Sequence, residues 1–166
     1  MMLDHLRRMA LYNRWANRRL YDACSLLAEK AYHQPRKMFF GSIHGTLNHI
    51  LVGDRLWLSR IEQRPTPALS LDHELHRDLD TLSQARQAED EQMIEITKRY
   101  DEGDLNATLQ YRTVVNPAEI STPLHLCWLH LFNHQTHHRG QIHDQLSQTE
   151  VAPPSLDLIF YLRDVG

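Results

Sequence analysis

The chain carries 166 residues, 42% of them hydrophobic, with a formal net charge of −3 and an isoelectric point near 6.4. That length suits one domain, 1–166, with a core that needs no staple. The mild acidity argues against a dedicated nucleic-acid binder, and no run of about 18 apolar residues offers a membrane span.

The N-terminal MMLDHLRRMALYNRW has no apolar signal core, so a cytoplasmic location is expected. Leu3, Leu6, Ala10, Asn13, Asn17, Leu20, Cys24 and Leu27 recur at three- and four-residue steps and predict a first helix over about 2–29. KAYHQPRKMFFG, broken by Pro35 and Gly41, reads as a loop. Ser42 then caps a second helix, about 42–63, with Ile43, Leu47, Ile50, Trp57, Leu58 and Ile61 on its apolar face. RPTPALS ends it, and Ser70 or Asp72 caps a third helix over about 72–101. There Leu75, Leu79, Leu82, Arg86, Glu89, Met93, Ile96 and Tyr100 form a bundle seam with two charged residues in its middle.

The helical period stops over about 103–123, where Leu109, Tyr111 and Thr113, then Asn116-Pro117 and Ile120, predict a short hairpin. Pro123 stands near the start of a fourth helix, about 123–147. After the loop TEVAPPS, LDLIFYLRDV makes a short terminal helix. The expected fold class is all-α: a four-helix bundle with a hairpin-like insert before the last long helix and a short C-terminal helix. Cys24 and Cys127 form no CxxC motif and predict two buried thiols, not a disulfide.

The fourth helix holds HLFNHQTHHRGQIHDQL, with five of the twelve histidines. At about 100° per residue, Leu124, Cys127, Trp128, Leu131, Ile142 and Leu146 mark its apolar stripe. His138 falls near the middle of that stripe and His134 on its shoulder. His130 and His137 lie further off on the same flank, and His125 and His143 on the opposite one. Two imidazoles at i,i+4 can take adjacent corners of a metal's coordination shell; the competing reading is two core histidines satisfied by hydrogen bonds. On the second helix His49 sits on a shoulder of the apolar face, whereas His44 points elsewhere, near the polar boundary. His49, His134 and His138 together make a three-histidine set that leaves one coordination position open, the mark of a catalytic site.

Asp54 falls on the apolar face of the second helix, where a carboxylate needs partners. It is a ligand, a partner of a metal-bound histidine, or a hydrogen-bond acceptor inside the bundle, the last being the best bet. Gly140 signals close backbone packing. Arg139 and Gln141 either orient a substrate or pair structurally.

NHILVGDRLWL on the second helix, HLFNHQTHHRGQI on the fourth and YNRWANRRL on the first resemble the DinB family, the DNA-damage-inducible and YfiT-like group. The resemblance covers essentially the whole chain. It implies a four-helix bundle with a long crossover and a divalent-metal site on His49, His134 and His138. It also implies a homodimer and a small-molecule substrate; the mild acidity and the missing apolar span leave no nucleic acid and no membrane as expected partners. Zinc or nickel suits three imidazoles best, with iron or copper also suited. Characterised relatives include S-transferases and isomerases that use low-molecular-weight thiols. The expected function is that of a metal-dependent enzyme activating a water or thiol, a transferase or hydrolase. The alternative is a non-catalytic metal-binding or stress-response protein with the same site.

Overall fold

A computed structural model describes residues 1–165. Four long helices form the bundle: α1 (Met2–Ser25), α3 (Ile43–Ile61), α4 (Leu79–Lys98) and α5 (Leu124–Leu146). A short α2 (Glu29–His33) follows α1, and α6 (Leu158–Asp164) follows α5. Before α5, β1 (Thr108–Arg112) and β2 (Glu119–Pro123) pair antiparallel, with Tyr111 opposite Ile120. The all-α class and the hairpin insert are as the periodicity predicts.

Helix starts follow capping chemistry. The Ser42 side chain accepts from the Gly45 N–H and opens α3 where expected. The third helix differs: Asp78, not Ser70 or Asp72, caps α4 by accepting from the Thr81 N–H. Residues before it form a turn and bends held out of the helix by tertiary hydrogen bonds. The Leu75 and His76 N–H groups both donate to Asn48 Oδ1, and Asn48 Nδ2 donates to the His76 carbonyl. The first helix is also shorter than its stripe suggested. It ends at Ser25, and a separate turn of helix, Glu29–His33, runs from its expected end into the segment expected to be loop, with Tyr32 buried against His44.

Two apolar clusters fill the bundle, one containing Leu6, Leu58, Met93 and Trp128, the other Leu20, Leu47, Leu82 and Ile142. Between them lies a layer of buried polar side chains from all four long helices: Asn13, Asn17, Asp54, Arg86, Asp90, Gln135 and Arg139. The order of clusters along each helix fixes direction. α1 and α5 run from the first cluster to the second; α3 and α4 both run the other way. The parallel α3 and α4 require the chain to return the full bundle length through residues 62–78, and this is the long crossover.

Arg86 donates to Asp54 and its Nη2 lies 3.1 Å from Asp90 Oδ1. Asp54 also accepts from Gln135 Nε2. Arg139 donates to Asn13, Asn17, Gln135 and Thr136, and Asn13 and Asn17 donate to Asp90. Arg86 thus faces two carboxyl groups and Arg139 a set of amide and hydroxyl oxygens, and the layer's charges balance when both carboxyls are ionised. Burial disfavours the Arg86 charge, but Asp90 and Asp54 outweigh it and hold the guanidinium firmly protonated. The seam charge Glu89 is also buried and takes Arg55 at 3.4 Å.

Cys24 and Cys127 are buried and free, as expected. Burial pushes the Cys24 thiol up to about 12, far from a reactive thiolate. Among the described residues no helix is long and apolar enough to cross a membrane.

Candidate metal centre

α3 and α5 pack side by side and bring His49, His134 and His138 together. The His49 Nε2 lies 3.1 Å from both the His134 Nε2 and the His138 Nε2. One ring nitrogen from each residue lies within 4.8 Å of the others.

The outer nitrogens decide what these short approaches mean. His49 Nδ1 is 2.7 Å from the Leu71 carbonyl oxygen, which only accepts, so Nδ1 carries the hydrogen. His138 Nδ1 is 2.8 Å from Gln141 Oε1. The amide nitrogen of Gln141 faces His137 Nε2 at 3.3 Å, which leaves its oxygen to accept from His138. In the neutral rings both inner Nε2 atoms are therefore bare lone pairs. Two lone pairs at 3.1 Å repel unless a cation stands between them. Tetrahedral zinc, with Zn–N near 2.0–2.1 Å, would set such nitrogens about 3.3 Å apart. The donor set fits a divalent metal.

Electrostatics keeps the rings neutral. Burial, then the neighbouring His138 and His49, push His134 down to about 3. Burial pushes His138 down to about 4, against the hydrogen bond to Gln141. Burial also lowers His49. An unprotonated imidazole is the form that ligates metal.

Two glycines on α3 let the cluster form. A Cβ on Gly53 would sit 2.8 Å from His134 Cε1, so the absent side chain is the space the ring occupies. A Cβ on Gly45 would sit 2.2 Å from the Phe40 carbonyl oxygen. That close approach holds Phe40 over the cluster, its ring stacked on His49 with centroids 3.7 Å apart. Gly45, His49 and Gly53 form one ridge at four-residue steps, a signal readable in GTLNHILVG.

Asp54 does not join the three histidines; it serves as an acceptor within the buried layer. Burial pushes its carboxyl up to about 7 against the pull of Arg86. Arg139 pairs structurally, whereas Gln141 orients His138. His44 is buried, not at a polar boundary, and bridges the Tyr32 hydroxyl and Glu74 at 3.1 and 2.9 Å. A Cβ on Gly140 would meet nothing within 4 Å, so the close approach expected there occurs at Gly45 and Gly53 instead. His130 and His137 are exposed, and the His130 ring lies tilted against Trp57, ring centroids 4.7 Å apart. His125 and His143 are half-buried and take no part. Phe40 and the Leu71 carbonyl had no signal in the histidine pattern, since both come from connecting segments.

His49 and His134 line one end of a cavity of about 320 Å³. Trp57, His130 and the hairpin residues Tyr111 and Val114 form its walls.

The model of the DinB family matches residues 2–164. The curated Protein DinB of Bacillus subtilis (strain 168) is 28% identical over 171 residues, covering 97% of this chain and 95% of that protein. The crystal structure of a DinB-like protein from Bacillus cereus ATCC 10987 superposes with a TM-score of 0.63 at 17% identity, covering 84% of this chain and 89% of that one.

Proposed function

The chain belongs to the DinB family, and on that premise we propose that it is a metal-dependent enzyme of the thiol S-transferase or hydrolase type. His49, His134 and His138 would hold the divalent cation, zinc or nickel by preference. The reading is carried by the approach of the His49 and His138 inner nitrogens to 3.1 Å, with hydrogens fixed on their outer ones. A divalent cation held there supplies Lewis acidity, which brings a water or thiol toward ionisation near neutral pH.

The chain's own groups do the rest. The Leu71 carbonyl and Gln141 fix the tautomers and ring planes of His49 and His138. Phe40 covers His49 and keeps bulk water from that side. The cavity beside His49 and His134 has room for a small-molecule electrophile next to the cluster, where a thiol sulfur or water oxygen would bond to its electrophilic carbon, displacing the leaving group with its electron pair and giving its own proton to solvent. A non-catalytic metal protein would close the remaining position with a protein side chain. Among the described residues the group contains three ligands and a cavity opens beside two of them, which favours the enzyme.

Elemental analysis of freshly purified protein tests the site. Wild type is expected to carry stoichiometric metal and His138→Ala to lose it. Unchanged metal in the variant would overturn the assignment. Conjugation of several low-molecular-weight thiols to a generic aryl halide, with and without chelator, tests the reaction. Rates that ignore the chelator with every thiol would remove the transferase reading.

A further inference from the structure

Arg60 is a buried cation without an anion. Its residue is 9% exposed, its Nη2 donates to the Arg112 carbonyl at 3.1 Å, and its Nε is buried with no acceptor. It forms no ion pair among the described residues. Arg86 and Arg139, which are more deeply buried, also leave an Nε without an acceptor, but Arg86 faces two carboxylates and Arg139 has four oxygen acceptors, where Arg60 has one carbonyl. A guanidinium held to one carbonyl keeps its charge unanswered by the protein, because arginine does not shed its proton, and its fork opens on a cavity instead of an anion.

The side chain is also held in place. Its guanidinium carbon lies 4.8 Å from the Trp57 ring centroid and 4.9 Å from that of Tyr111. Two cation–π contacts fix the plane of the fork without neutralising its charge. Arg60 shares the cavity of the histidine cluster. His49, Gly53, Leu56 and Arg60 follow one another on α3 at steps of four, three and four, so they line one face. Eleven residues at 1.5 Å put the two ends about 16 Å apart along the helix. Beyond Arg60 the space widens into a second cavity of about 640 Å³, whose lining includes Arg64 and Arg112 and no Asp or Glu.

We propose that Arg60 binds the carboxylate of an elongated small-molecule substrate whose reacting end lies at His49 and His134. This rests on the reading of the histidine cluster as the reaction centre. A planar carboxylate matches the guanidinium fork. It supplies the counter-charge the fold withholds, and the length of the α3 stripe selects molecules with the acid remote from the reacting group.

The test is calorimetric titration of zinc-loaded protein with three ligand series of increasing chain length: ω-mercaptoalkanoates, ω-mercaptoalkanols and plain alkanoates. The mercaptoalkanoates are expected to bind about tenfold or more tighter than the alcohols of equal length. Arg60→Gln should erase that preference while leaving the affinity for the alcohols and the metal content unchanged. Arg60→Met keeps an apolar stem between Trp57 and Tyr111 and replaces the first variant if that one does not fold. A carboxylate preference that survives either substitution, or is absent in wild type, overturns the proposal. Failure of the metal-centre reading looks different: mercaptoalkanoates and alkanoates would bind equally, both still dependent on Arg60.

Discussion

The bundle buries polar groups in two neighbouring places and treats them in opposite ways. In the layer of Asp54, Arg86, Asp90 and Arg139, charges are fully enclosed and balanced by one another. In the cluster of His49, His134 and His138, the groups are kept neutral and the inner lone pairs of His49 and His138 face each other. The two share helices, and Gln135 of the layer sits between the two clustered histidines of α5. The layer closes on itself and so serves the fold. The cluster is incomplete without something positive, and so serves a ligand.

The largest effect should come from breaking the layer. Asp54→Ala leaves Arg86 short of one buried partner, and chemical denaturation should register a loss of about 3–5 kcal/mol. Metal content at a temperature where the variant stays folded should be unchanged, since Asp54 touches none of the histidines. Metal loss in step with stability would show that the two regions are one. A smaller effect, confined to the cluster, is expected of Gln141→Ala. It frees the His138 ring, and metal affinity measured by chelator competition should fall about 10- to 100-fold with little change in folding.

The smallest effect is one of pH. His134 and His138 sit near 3 and 4 in the folded protein against 6.5 ordinarily. Between those values and 6.5 the unfolded chain binds protons that the folded rings refuse, so metal-free protein loses stability as pH falls from about 6.5. Asp54 acts in the other sense. Raised from 3.8 to about 7, it holds a proton the unfolded chain releases, and its contribution is lost as pH rises through that window. Comparing wild type with His134→Ala isolates the imidazole part: the variant should show a shallower acid loss of Tm. Identical acid profiles would mean His134 is not held neutral by burial.

Much of this was legible in the chain itself. Period and caps place α3 and α5 within two residues, because Ser42 and Pro123 act locally. The inward-facing histidines followed from the wheel alone. The start of α4 was not legible, because Ser70 and Asp72 are as good caps as Asp78. What rejects them is Asn48, which claims the Leu75 and His76 amides from a distant helix. His44 was misplaced for a similar reason: its burial depends on Tyr32 and Glu74, both outside the helix that carries it. Connecting segments supplied the contacts that periodicity could not carry, Phe40 and Leu71 among them.

The buried layer also sets the axial register of the helices. A slip of one turn, about 5.4 Å, would carry Asp54 on α3 or Gln135 and Arg139 on α5 away from their partners and into an apolar cluster. Apolar packing alone would resist such a slip weakly, since leucine meets leucine equally well one turn along. Charges from α3, α4 and α5, matched to one another and to Asn13 and Asn17 of α1, admit one alignment. His49 stands five residues before Asp54, and His134 and His138 flank Gln135, so the alignment that pairs the charges is the one that brings the three imidazoles level.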